Sequence, residues 1–226
     1  MLKKELVLKW LILFNLILVL LYLISNHIFM VPSYRIRVLF DLDGETNIPT
    51  WFSSAQLFSL FVLSVIYSKQ IENKHLSNFY LSIGLVFLFF SADETAMIHE
   101  GITVVFNKSS IHSFFPEAHG MWILVYSIIL IILGFIFWKG LLAFWNEKTG
   151  RAIFIIGAVV FVVGGVGFEV LGYYLSLHQR VESMLHIIEV TAEESFELLG
   201  QSLMIYALLS KLSSTHTNTS KASEII

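Results

Sequence analysis

Apolar residues along this chain are gathered into six long stretches that short polar segments separate. The stretches cover residues 8–30, 50–67, 79–99, 121–145, 152–177 and 184–212. About 20 apolar residues are enough for a helix to cross the hydrocarbon core of a bilayer. The pattern therefore predicts an all-α fold, a polytopic transmembrane helical bundle with about six spans.

The composition supports a membrane protein with the lipid bilayer as its main partner. Hydrophobic residues make up 56% of the chain and charged residues 14%, whereas soluble domains have about 45–50% and about 25%. The 14 Lys and Arg residues do not exceed the 17 Asp and Glu residues, so we expect no nucleic-acid partner. Because the chain has no cysteine, disulfides and thiolate metal sites are excluded, and the composition leaves the oligomeric state open.

The loop charges predict an orientation. If the termini lie on the same side as most of the Lys and Arg residues, the other side holds only Arg35, Arg37, Lys108 and Arg180. The positive-inside rule then predicts that both termini are cytoplasmic. We expect residues 1–212 to form the transmembrane domain and residues 213–226 to form a polar, disordered tail.

Ionisable residues interrupt the predicted spans. They are Asp93, Glu94, His99 and Glu100 in or next to the third span, Glu169 in the fifth, and His186, Glu189, Glu193, Glu194 and Glu197 in the sixth. A charged residue at the bilayer centre costs about 2.5–3.5 kcal/mol on insertion scales. Each carboxylate must therefore be protonated, paired or bound to a cation.

Helical spacing predicts which of these groups share a face of a helix, and the predicted topology indicates that they lie at a similar depth. His186, Glu189 and Glu193 are separated by three and four residues, and Glu197 extends the same stripe. Asp93 and Glu100 are seven residues apart and would share a face of one unbroken helix. The predicted topology places most of the group in the extracytoplasmic half of the membrane.

Small residues beside the acidic position of the fifth span predict a close helix contact. Gly165 lies four residues before Glu169, and Gly172 lies three residues after it. Small residues at such positions let a neighbouring helix approach closely.

These residue types predict a metal site in a membrane-embedded enzyme. Inward-facing Glu and His residues on several helices are how metal sites in bundles are built, and such ligands suit Zn, Fe or Mn. The predicted ligands are Asp93, His99, Glu100, Glu169, His186, Glu189 and Glu193. Glu94 or Glu197 would act as general base on water that the metal acidifies.

Several functions remain compatible with this cluster. The enzyme would hydrolyse a lipid-linked substrate or carry out oxidation at a di-metal centre. Alternatively, the acidic stripe of the sixth span would serve a carrier or channel for protons or divalent cations. A structural or sensory protein that binds an ion for stability is the third possibility.

Two segments resemble a known pattern. They are Ser91-Ala92-Asp93-Glu94-Thr95-Ala96-Met97-Ile98-His99-Glu100 and Glu193-Glu194-Ser195-Phe196-Glu197-Leu198-Leu199-Gly200. The chain resembles uncharacterised bacterial multi-pass membrane proteins with a Ser-x-Asp-Glu-x-x-x-x-His-Glu helix and a late Glu-Glu-x-x-Glu-x-x-Gly helix. The resemblance implies that both motifs belong to one site and that the protein lies in a bacterial cytoplasmic membrane, but it implies no activity.

Overall fold

A computed structural model describes residues 3–108, 120–178 and 184–223, and within these ranges it contains helices and no strands. This confirms the prediction of an all-α fold. Two π-helical segments, Leu23–Ile28 and Val163–Phe168, continue α1 and join α8 to α9. The α-helices are α1 (Lys4–Tyr22), α2 (Tyr34–Leu39), α3 (Ile48–Ser68), α4 (Lys74–Ala96), α5 (Ile98–Lys108), α6 (Met121–Ile136), α7 (Trp138–Trp145), α8 (Arg151–Val162), α9 (Glu169–His178) and α10 (Met184–Ser223).

Four continuous helical stretches are long and apolar enough to cross a membrane. They are Lys4–Ile28, Ile48–Ser68, Lys74–Ala96 and Arg151–Leu175. The predicted fourth span differs from expectation, because α6 and α7 are bent by 80° relative to each other. The helix α10 carries the acidic stripe and is not among the four, and it extends to Ser223. Embedding in a membrane is therefore supported, while six spans and their orientation remain predictions.

Local sequence explains where two of these helices begin. The Asn47 side chain accepts a hydrogen bond from the backbone N–H of Thr50 (3.1 Å) at the start of α3. The Asn73 side chain accepts from the N–H groups of His75 (3.0 Å) and Leu76 (3.2 Å) at the start of α4. Such caps satisfy backbone donors that have no partner inside the helix. The caps fix the starts of α3 and α4, which pack against each other, and α10 packs against α3.

The helices α8 and α10 cross at a pair of glycines. A Cβ atom at Gly200 would lie 2.5 Å from the backbone nitrogen of Phe161 and 2.6 Å from the carbonyl oxygen of Gly157. These distances are shorter than van der Waals contact, so only glycine permits this approach. The crossing brings the acidic part of α10 against the π-helical segment that follows α8.

The glycine crossing predicts that Gly200→Ala destabilises the protein by about 1–3 kcal/mol, because the added methyl group meets rigid backbone. Thermal unfolding in detergent would measure the change. Gly134→Ala is the matched control, because a Cβ atom there has nothing within 4 Å. Equal stability of the two variants would contradict the close crossing.

A buried ion pair joins the turn after α7 to α10. Lys211, which is only 1% exposed, places Nζ 2.7 Å from Oε2 of Glu147. The hydroxyl groups of Tyr67 and Tyr80 donate to the same carboxylate, at 2.7 Å and 2.5 Å. The Lys211 Nζ also lies 5.5–5.7 Å from the ring centroids of Tyr67, Tyr80 and Phe144. The ion pair is thus enclosed by aromatic rings.

Removing one partner of this buried pair should cost about 3–5 kcal/mol, because the other charge is left uncompensated. We therefore expect Lys211→Met to lower the free energy of unfolding by this amount, and the double variant with Glu147→Gln to recover much of it. Unfolding in increasing denaturant would measure both. Lys148→Met removes an exposed lysine and should have little effect. Additive losses in the double variant would contradict the pairing.

Candidate functional site

Most of the predicted acidic residues lie around one cavity. Its volume is about 370 Å³, and it lies between α4, α5, α6, α10, the segment that joins α8 to α9, and the loop before α3. Among the residues that the structure places around the cavity there is no Lys or Arg, although the space is strongly acidic. The lining carboxylates are Asp43, Glu45, Asp93, Glu94, Glu100, Glu169, Glu193, Glu194 and Glu197, and the other polar lining residues are His99, Trp122, Tyr126 and Ser127.

The predicted third span is not one helix, which corrects the sequence-based expectation for its end. Met97 adopts a left-handed conformation with φ 53°, and its N–H donates to the Asp93 carbonyl at 2.7 Å. A left-handed residue ends an α-helix, so α4 stops at Ala96 and α5 begins at Ile98. Asp93 and Glu100 therefore do not share a face of one helix, although both line the cavity.

The break folds His99 back onto Asp93. The backbone N–H of His99 donates to Oδ1 of Asp93 at 2.8 Å, and the ring nitrogen Nδ1 lies 3.1 Å from the same oxygen. Asp93 is buried, and the His99 ring packs edge-on against Trp122, with centroids 5.6 Å apart. These contacts hold the imidazole in one orientation at the cavity wall.

Glu45, His99 and Glu100 form the group best suited to hold a metal ion. One potential ligand atom from each lies within 4.8 Å of the others. Two of the three residues were predicted as ligands, and Glu45 joins them from the loop before α3.

The cap of α3 positions Glu45. The Asn47 side chain donates to the carbonyl oxygens of Asp41 and Gly44, at 2.6 Å and 2.5 Å. The Thr50 hydroxyl lies 3.4 Å from Oε2 of Glu45. The same residues that start the helix therefore hold the acidic loop over the cavity.

The surroundings of His99 favour its protonated form. Burial alone would lower the pKa of His99, but the hydrogen bond to Asp93 and the neighbouring carboxylate charges raise it to about 9. Burial raises the pKa of Glu45, and the positive charge of His99 partly offsets that rise. In its protonated form the His99 ring would compensate part of the negative charge of the cavity, and a metal ion bound at Nε2 would take the place of that proton.

Glycines make room for the carboxylates of α10. A Cβ atom at Gly165 would lie 2.7 Å from Oε1 of Glu197, and one at Gly164 would lie 2.8 Å from its Cγ. Gly172 is similarly close to Glu189, at 2.6 Å from Oε1. The predicted close approach beside Glu169 is therefore present, and the space that the glycines leave is filled by carboxylates.

Two predicted ligands lie apart from the cavity lining. The His186 Nδ1 atom is 3.1 Å from Oε2 of Glu189, and its Nε2 atom is 3.8 Å from Oδ2 of Asp43. Neither His186 nor Glu189 is among the residues that line the cavity in the described ranges. Both lie on the turns of α10 nearest its start, so the stripe extends beyond the depth of the cavity.

Sequence reasoning assigned no role in the site to three carboxylates that line the cavity. Asp43 and Glu45 lie in a predicted loop, where acidic residues are common and no periodicity shows which way they point. Glu194 is about 100° from the stripe on α10, yet it also lines the cavity. The cavity is wide enough to contact a larger part of the α10 surface than the single stripe. The signal in the sequence that could have identified Glu194 was its position next to Glu193 on an otherwise apolar helix.

Because Met97 is left-handed and Ala92 is helical, we expect substitution by glycine to have opposite effects on stability at these two positions. Met97→Gly should stabilise the protein by about 1 kcal/mol, because a side chain in this region costs about 1–2 kcal/mol. Ala92→Gly, at an exposed site within α4, should destabilise it by about 0.5–1 kcal/mol. Thermal unfolding monitored by circular dichroism measures both. A loss at both sites would contradict the break at Met97.

The comparisons with known proteins identify a family without an assigned activity. A family model described as a domain of unknown function (DUF8692) matches residues 10–212, so the chain belongs to this family. The match includes both motif segments, residues 91–100 and 193–200. No curated protein and no solved structure matches the chain.

Proposed function

We propose that this member of the family is a membrane-embedded hydrolase that depends on one divalent cation, Zn, Fe or Mn. Glu45, His99 and Glu100 would hold the cation. The observation that carries the proposal is the convergence of their ligand atoms within 4.8 Å on the wall of an acidic cavity. The donor set of one imidazole and two carboxylates suits these metals.

Asp93 would position the histidine ligand and would not bind the cation itself. Its carboxylate engages Nδ1 of His99 at 3.1 Å, which leaves Nε2 as the nitrogen available to a metal. A histidine ligand commonly donates its other ring N–H to a carboxylate in this way. The proposal thereby changes the role of Asp93, which sequence reasoning predicted to be a ligand.

The carboxylates on the other walls of the cavity would supply the base. A bound cation would provide Lewis-acid activation of water or of a substrate oxygen. Glu94 and Glu197 line the same cavity and would accept the proton that water loses on attack. Glu169 and Glu193, predicted as ligands, would instead set the negative potential that attracts the cation.

Hydrolysis is favoured over oxidation at a di-metal centre. Di-iron and di-manganese sites in bundles use two Glu-x-x-His pairs together with further carboxylates. Of the residues that the structure places around the cavity, His99 is the one histidine. Because His186 is not in the lining, the described residues around the cavity offer no second histidine ligand.

A carrier or channel receives less support from the packing of α10. Beyond Glu197 the polar side chains are tied to one another: Gln201 donates to Ser53 at 2.9 Å, and Ser202 donates to Gln56 at 2.8 Å. The next turns present Met204, Ala207 and Leu208, which are at most 1% exposed. A path for ions would have to cross this apolar layer.

The proposal includes a topology. With six spans and cytoplasmic termini, the cavity would face the extracytoplasmic side of a bacterial cytoplasmic membrane. The support is the distribution of Lys and Arg in the loops.

Purified protein should contain one Zn, Fe or Mn ion per chain, measured by inductively coupled plasma mass spectrometry after a chelator-free preparation. We expect His99→Ala to abolish this content, because the nitrogen ligand is lost. Asp93→Asn should weaken metal affinity by about 10–100-fold, the usual effect of removing the partner of a histidine ligand.

His186→Ala is the matched control, because it also removes a histidine next to a carboxylate but lies outside the cavity lining. It should retain the metal. Metal-free wild-type protein would overturn the proposal. Loss of the metal in His186→Ala, with retention in His99→Ala, would move the site to the start of α10.

A further inference from the structure

An apolar groove between α4 and α6 adjoins the acidic cavity. Its volume is about 440 Å³. On α4, Leu81, Leu85 and Phe89 line it and are 39–53% exposed at the outer surface of the bundle, as is Ile129 of α6. The groove is therefore open to whatever surrounds the helices, which in a membrane is lipid.

The groove and the cavity meet at three shared residues. Phe90, Tyr126 and Leu130 line both spaces. The ring of Tyr126 packs edge-on against Phe89, with centroids 5.3 Å apart, and Tyr126 also lines the acidic cavity together with Asp93. An amphipathic residue thus lies where the environment changes from carboxylates to hydrocarbon.

The dimensions of the groove indicate its occupant. Asn78 and Phe90, at its two ends on α4, are twelve residues apart, so the groove is about 18 Å long at 1.5 Å per residue. One leaflet of the hydrocarbon core is about 15 Å deep. A single hydrocarbon chain fits a groove of this length, and the mostly apolar lining offers it contacts from Asn78 to Phe90.

We propose that the substrate is a membrane lipid whose hydrocarbon tail lies in this groove while its polar head enters the acidic cavity past Tyr126. The inference rests on the proposed hydrolase function for its chemistry, and it names the class of substrate. Hydrolysis would add water across an ester or phosphoester bond of the head. The oxygen of water would bond to the carbonyl carbon or phosphorus, the departing alkoxide would take up a proton, and no oxidant or reductant is needed.

The arrangement explains why the reacting groups lie next to an opening in the side of the bundle. A lipid that diffuses within the bilayer would reach the carboxylates without leaving the hydrocarbon layer. Its tail would gain apolar contacts along α4 and α6 that the polar cavity cannot offer. The groove would therefore select amphipathic substrates over soluble esters.

The test uses the full chain reconstituted in phosphatidylcholine vesicles that contain a trace of phosphatidic acid with a diazirine on one acyl chain. After illumination, peptide mass spectrometry locates the cross-links. We expect labelling of the α4 and α6 residues that line the groove to exceed labelling of the exposed face of α1 several-fold. Leu85→Trp should reduce groove labelling to the level of α1, because the larger side chain fills the groove.

Ile129→Trp fills the groove from α6 and keeps the test valid if Leu85→Trp does not fold. Leu16→Trp is the matched control, since Leu16 is similarly exposed on α1 (56%). Equal labelling of α1 and α4, or groove labelling that neither tryptophan reduces, would overturn the inference. Metal content measured on the same samples separates the two proposals. If the protein retains the metal but is labelled uniformly, the lipid-binding groove is rejected and the metal-dependent function is not. If the groove is labelled but the protein contains no metal, the metal-dependent function is rejected and the lipid-binding groove is not.

Discussion

The constraint on which the rest of this structure depends is the placement of nine carboxylates around one cavity in a predominantly apolar chain. Carboxylates of like charge repel each other and lose hydration when they are enclosed, so the fold must compensate for both effects. Within the described ranges no Lys or Arg lines the cavity. Among the residues that the structure places around the cavity, His99 is the one basic side chain. Protonation of some carboxylates, or a bound cation as proposed above, would supply the remaining compensation.

Several local irregularities of the backbone follow from this constraint. Met97 interrupts the third apolar stretch and so turns His99 back to Asp93. The π-helical segment Val163–Phe168 contains the glycines that border Glu197. A regular helix with ordinary side chains at those positions would displace the carboxylate. Such departures from regular structure are typical of functional sites, and here they occur on both sides of the cavity.

The sequence was most informative where a single physical effect dominates. Apolar length predicted the helices, and the cost of burying charge predicted that Asp93, Glu94, Glu193 and Glu197 converge. The sequence did not predict the structure where a small local conformational preference decides it. No periodicity distinguishes a helix that continues through Met97 from one that ends there, because the difference is about 1–2 kcal/mol at one residue. Glu45 was missed because the direction of a loop side chain depends on the cap at Asn47.

In the proposed function, the division of the cavity wall into two parts would keep cation binding and proton transfer separate. The group of Glu45, His99 and Glu100 lies on the loop before α3 and on the short helix α5, where hydrogen bonds from Asn47 and to Asp93 fix it. The carboxylates Glu193, Glu194 and Glu197 lie on α10, which Lys211 and Gly200 hold against the rest of the bundle. Because each part is held by its own contacts, substitutions that disturb one need not displace the other. Loss of metal and loss of proton transfer should therefore be separable in this site.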